Sequence, residues 1–114
     1  MSVESYKRSI ESEKRSIESE KASIARLRQD ISRIREQKSR KTEYYRNRLK
    51  SASSSAQKKS VRDQKKRDWD SFKRQIDSKK DRIDYHRDRI ARCRADIKRY
   101  REYIARERAR NRRR

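Results

Sequence analysis

Glycine and proline are both missing from this chain of 114 residues. Without glycine there is nothing to build a phosphate-cradling loop. Without either breaker, long helices are favoured. The chain has one cysteine, Cys93, and one histidine, His86. A single cysteine excludes an internal disulfide. His86 and Cys93 are two helical turns apart, about 10 Å, too far to share a metal, and no second pair of ligands completes a site. No nucleophile stands beside a base. Catalysis, a cofactor, a metal and a small-molecule substrate are therefore not expected. Long apolar runs are missing too: nothing approaches the ~18 residues of a membrane span, and MSVESYKRS lacks the apolar centre of a signal peptide. A cytosolic protein is expected. Leaderless export stays open, and so does nuclear targeting through KKSVRDQKKR (58–67).

Only 28% of residues are hydrophobic and 50% are charged. Such a composition reads first as disorder, but the apolar residues keep time. Residues 7–34 read KRSIESE, KRSIESE, KASIARL, RQDISRI: one heptad written twice and then twice more with drift. With the isoleucine position called a, the a series is Val3, Ile10, Ile17, Ile24, Ile31, Lys38 and Tyr45. The d series is Tyr6, Glu13, Glu20, Leu27, Ile34, Lys41 and Arg48. A second ladder has Trp69, Ile76, Ile83, Ile90, Ile97 and Ile104 at a, with Phe72, Lys79, His86, Cys93, Tyr100 and Glu107 at d. Apolar residues every 3.5 positions specify a left-handed coiled coil.

The ladders are out of phase, and SASSSA (51–56) lies between them. Serine competes for its own backbone, which weakens a helix, and it caps the next one. The sequence predicts an all-α fold, an antiparallel two-helix hairpin: helix one about 3–50, a serine-rich turn about 51–57, helix two about 58–110, and a basic tail at 108–114. Ser55 or Ser60 would cap helix two. One continuous helix is the alternative. The interface is expected from Ile10, Ile17, Ile24, Leu27, Ile31 and Ile34 against Trp69, Phe72, Ile76, Ile83, Ile90, Ile97, Tyr100 and Ile104. A bend at residue 55 sets Ile34 against Ile76, Leu27 against Ile83, Ile24 on His86, Ile17 on Cys93, Ile10 on Tyr100 and Tyr6 against Ile104. Glu13 and Glu20 then face Ile97 and Ile90, and Lys79 faces Ile31. Those layers leak. A hairpin also buries only one face of each helix, so assembly into a bundle, with a second copy or a partner protein's helices, is expected. Outside the seam, Glu4 and Arg8, Glu11 and Arg15, Asp63 and Arg67, Asp70 and Arg74, and Asp88 and Arg92 have the spacing of supporting ion pairs.

The net charge is +21, unevenly placed. Residues 1–34 carry eight basic and six acidic side chains, net +2; residues 35–75 carry fifteen and five, net +10. Residues 76–107 carry eleven and seven, net +4, and RARNRRR (108–114) adds +5. Neighbouring cations repel by about 1 kcal/mol per close pair in water. Charge stacked on the weakest part of the seam marks a polyanion contact. The candidate residues are Arg40, Lys41, Arg46, Arg48, Lys50, Lys58, Lys59, Arg62, Lys65, Lys66 and Arg67 at the turn, with Arg108, Arg110, Arg112, Arg113 and Arg114 in the tail. Trp69 and Phe72 keep the core frame and read as an aromatic plug with Lys38 and Lys41 opposite, more than as a platform for bases. Tyr45 is in frame and Tyr44 is not, which places Tyr44 in solvent.

The stretch SVESYKRSIESEKRSIESEKASIARLRQDISRIREQKSR resembles the first helix of small hairpin accessory proteins of Gram-positive type VII secretion, which escort LXG-class toxins and are related to WXG-type hairpins. Trp69-Asp70-Ser71-Phe72 stands where that family has its Trp-x-Gly turn and a following aromatic, although the glycine is absent. The resemblance implies a helical hairpin that binds the N-terminal helical domain of a cognate toxin. Three functions follow: a polyanion-binding hairpin, with nucleic acid held without sequence preference; a helical-bundle adaptor; and a virion or filament subunit with its basic end on packaged nucleic acid.

Overall fold

The structure is a computed structural model and describes residues 2–113. It has two helices, α1 (Val3–Ser51) and α2 (Ser55–Arg112), paired as an all-α hairpin. The described residues between them, Ala52 to Ser54, make the turn.

Serine placement explains the ends. Ser2 starts α1, its Oγ accepting the Ser5 amide at 3.1 Å. At the other end the Ala52 amide still donates to the Arg48 carbonyl at 3.0 Å, and the Ser51 hydroxyl donates to the Asn47 carbonyl at 3.1 Å. The chain then reverses with no positive φ among the described residues. Ser54 caps α2, its Oγ accepting the Gln57 amide at 3.1 Å. Gln57 reaches back, its Oε1 accepting the Ser53 amide at 2.8 Å and hydroxyl at 2.9 Å. This reciprocal cap satisfies donors that the helix cannot. It corrects the expected cap at Ser55 or Ser60 and shortens the turn, because Ser55 to Gln57 already form the first turn of α2.

The chain divides into two compact units. Unit one joins residues 1–25 to 83–114, and unit two is residues 26–82 around the turn. In unit one, Ile10, Ile17, Ile24, Ile83, Ile90, Ile97 and Ile104 are buried, as the ladders require. Their register differs from the expected one. Tyr6, expected to close this end together with Tyr100 and Tyr103, does so, with ring centroids 6.0 and 5.2 Å apart, which sets it opposite Tyr100 where the expected register set Ile10. Glu20 bonds His86, where the expected register set Ile24. The bend is centred near Ser53, two residues before the expected point. That displacement brings d positions opposite d positions. The glutamates of the α1 ladder thereby meet polar partners on α2 instead of isoleucines.

In unit two the core is Leu27, Ile31, Ile34, Tyr45, Val61 and Phe72. Val61 lies one place off the ladder and is only 4% exposed. A straight helix drifts about 20° per heptad against a 3.5-residue repeat, so near the turn the buried stripe moves one place, from the d column of α1 to Leu49 and from the a column of α2 to Val61. Leu49 is accordingly half-buried and Arg48 exposed. Trp69 and Ile76, expected inside the interface, are only half-buried. A depression lined by Arg35, Lys38, Trp69, Lys73 and Ile76 opens there. Arg35 is exposed there, whereas Lys38 is half-buried beside Trp69.

Most ion pairs on the helix surfaces are spaced by three, not four: Glu4 with Lys7 at 3.6 Å, Glu11 with Lys14 at 3.5 Å, Glu18 with Lys21 at 3.7 Å and Asp84 with Arg87 at 3.8 Å. None of the five expected pairs four apart forms among the described residues. Their competitors at three are equally near on a helix. Such exposed pairs contribute a few tenths of a kcal/mol each.

Candidate polyanion surface at the turn

The cationic side chains at the turn come from α1 and α2 together in unit two. Arg48 joins the helices, donating to Gln64 Oε1 at 2.9 Å and to the Tyr44 hydroxyl at 3.1 Å. Lys41 joins them again through Asp68 at 3.7 Å. Beneath them Tyr45 is fully buried and donates its hydroxyl hydrogen bond to the Asp68 carboxylate. Burial first, then that carboxylate, pushes the Tyr45 hydroxyl up to about 12, so it is neutral at physiological pH. The aromatic plug forms as a chain of edge contacts: Tyr44 to Tyr45 at 5.1 Å, Tyr45 to Trp69 at 6.0 Å and Trp69 to Phe72 at 5.9 Å. Lys38 and Lys65 put their ammonium groups 5.6 and 5.3 Å from the Trp69 ring centre. Lys41 takes the Tyr44 and Tyr45 rings, at 5.0 and 5.7 Å, rather than Trp69. Cation–π contacts let these ammonium groups sit close to the aromatic core.

Among the turn candidates, Lys41 and Lys65 are half-buried, whereas Arg40, Arg46, Arg48, Lys50, Lys58, Lys59, Arg62, Lys66 and Arg67 are exposed. Among the described residues, Lys41 is the one turn candidate paired with a carboxylate. Among the described residues the other turn candidates have no carboxylate partner. In the tail, Arg108, Arg110, Arg112 and Arg113 are exposed, and Arg110 pairs with Glu107 at 3.3 Å. Arg114 lies outside the described residues. The tail belongs to unit one and the turn cluster to unit two.

Unit one contains a polar layer that the ladders do not suggest. Glu20 bonds His86 Nδ1 and pairs with Arg89 Nε at 2.8 Å. The His86 bond, then Arg89, holds the Glu20 carboxyl below its ordinary range against an opposing effect of burial. One heptad away, Cys93 is a free thiol, half-buried. Burial first, then a hydrogen bond with Glu13, pushes it up to about 11. Among the described residues, no group of three or more His, Cys, Asp or Glu side chains could hold a metal. Among the described residues no helix is long and apolar enough to cross a membrane.

Glu20, Glu13 and Val61 were the functional or structural positions missed by pattern alone. The signal for Val61 was its solitary hydrophobicity within KKSVRDQKKR. The signal for the glutamates was a repeated anion at one seam position, which needs a partner in a dry interface. No protein-family model, curated protein or solved structure matches the chain.

Proposed function

We propose that the chain is a non-enzymatic helical-hairpin protein that holds a polyanion, nucleic acid bound without sequence preference, on the basic turn of unit two, with the C-terminal arginines as a second contact. The observation that carries this reading is the uncompensated charge of +10 over residues 35–75. Exposed arginine and lysine neutralise phosphates and release counterions, and no reading head for base edges accompanies them. The expected compartment is the cytosol, or wherever nucleic acid is packaged.

The test is affinity for nucleic acid against salt. If six or more phosphates are neutralised, binding falls by about 10³-fold or more between 50 and 200 mM salt. Replacing Lys58, Lys59 and Arg62 by glutamate lowers both the affinity and the slope. Binding that ignores salt overturns the reading.

The half-burial of Trp69 and Ile76 favours a second reading. Their open apolar surface suits a further helix, from a second copy or from a client such as the helical domain of a type VII toxin. In that case Ile76→Asp abolishes the complex, while loss of residues 108–114 does not.

A further inference from the structure

We propose that the Tyr44 side of unit two is a groove for single-stranded nucleic acid, in which an unpaired base stacks on Tyr44 while Arg40, Lys41 and Arg48 take the flanking phosphates. The inference rests on the polyanion reading and narrows its ligand from any phosphate polymer to one with free base faces.

Two adjacent tyrosines have opposite fates. Tyr45 is fully buried, whereas Tyr44 is 45% exposed. One edge of Tyr44 packs on Tyr45, and the rest of this large aromatic is left in solvent amid cations. It is also held in place: its edge contact with Tyr45 has an interplanar angle of 70°, its hydroxyl accepts from Arg48 at 3.1 Å, and the Lys41 and Arg48 cations lie over its ring at 5.0 and 5.6 Å, so an incoming base takes the place of a cation on the ring while that cation moves to a flanking phosphate. Arg48 is itself tied to Gln64. A ring held this way stacks on a base without first losing its own freedom.

Tyr44 also stands between two surface depressions and is the one residue that lines both. The first, about 550 Å³, runs toward the turn past Asn47, Arg48 and Val61. The second, about 500 Å³, runs the other way past Arg40, Lys41 and Phe72. Both are open to solvent, so each admits a base laid against Tyr44 without enclosing it. Successive bases on either side of a central aromatic, with cations along the edges, is the arrangement by which single strands are held. The one carboxylate in this groove, Asp68, is already engaged by Tyr45 and Lys41.

A duplex hides its base faces and offers phosphates alone, so it gains nothing from Tyr44. The other exposed tyrosine serves as a control. Tyr85 is 54% exposed and carries Arg89 at 5.7 Å, but it stands in DRIDYHRD (81–88), where three aspartates repel phosphate.

The experiment measures anisotropy of a fluorescein-labelled oligothymidylate with the full chain, alongside a mixed-sequence duplex and heparin. Tyr44→Ala is expected to weaken oligothymidylate binding about tenfold or more. Tyr44→Phe, which keeps the ring and loses only the Arg48 hydrogen bond, retains most of the affinity, Tyr85→Ala retains all of it, and duplex and heparin binding do not change. Unchanged oligothymidylate binding by Tyr44→Ala overturns the inference and leaves the polyanion reading standing. Equal losses for all three ligands overturn it as well, because Tyr44 then acts only by placing Arg48 and Lys41. Failure of the wild-type chain to bind any of the three sinks the polyanion reading itself.

Discussion

Removing Tyr45 probes the point where core and basic surface meet. The ring is fully buried, its edge lies 6.0 Å from Trp69, and its hydroxyl donates to Asp68. Truncating a buried aromatic to alanine costs about 3–5 kcal/mol, transfer and cavity terms together. Tyr45→Phe keeps the packing and loses the hydrogen bond. A bond to a charged acceptor is worth about 1.5–3 kcal/mol. Here Asp68 is 33% exposed and keeps Lys41 at 3.7 Å, so the loss should be smaller, about 1 kcal/mol. That corresponds to a melting shift of about 3–5 °C. Far-ultraviolet circular dichroism follows the helices, and fluorescence of Trp69, the single tryptophan, follows unit two. Alkaline titration gives a separate check. The folded-state value of Tyr45 is raised from 10.0 to about 12, so its contribution is complete below pH 10 and is lost as the pH rises through about 12. The wild type should therefore lose more stability there than Tyr45→Phe does. A Tyr45→Ala variant within about 1 kcal/mol of wild type, or identical alkaline curves for wild type and Tyr45→Phe, would refute the packing described for unit two.

Glu20→Gln should destabilise unit one at neutral pH. Its carboxyl is held low, so its contribution is present above the ordinary value of 4.5 and disappears as the pH falls through the lowered one; the variant and the wild type should converge in acid melts. Val61→Asp should cost about 2–4 kcal/mol in urea unfolding by placing a charge where 4% of the side chain is exposed. A cost below about 0.5 kcal/mol would return Val61 to the surface. Cys93, pushed up to about 11 by burial and Glu13, should react slowly with iodoacetamide at pH 8, and Glu13→Gln should speed the reaction. No acceleration would remove Glu13 from its contact.

The helices and their antiparallel pairing were legible because isoleucine at every seventh place gives each helix one apolar stripe, and the serine run between two out-of-phase ladders lets those stripes cover each other within one chain. The serine run located the reversal for the reason that serine disfavours helix interiors. It did not fix the bend to the residue. SSAQ (54–57) satisfies a reciprocal cap at Ser54, and that local hydrogen bonding, worth about 1 kcal/mol, moved the turn. The register followed the turn. Pattern alone treated Glu13 and Glu20 as defects facing isoleucine, whereas the shifted register gives them Cys93 and His86. Drift of the seam near the turn hid Val61, since a strict 3.5-residue count ignores the 3.6-residue helix. The basic surface was visible as composition. The difference between Tyr44 and Tyr45 followed from frame, but the depressions beside Tyr44 come from tertiary packing, which the sequence does not list.

The register underlies the whole account and can be read directly. Glu13→Cys places a second thiol opposite Cys93 in unit one. A short bis-maleimide at high dilution should bridge the two within one chain, giving a single-chain mass with both thiols consumed, while Val3→Cys with Cys93 should not bridge. Bridged dimers alone, or a bridge from position 3 in place of position 13, would contradict the paired ladders.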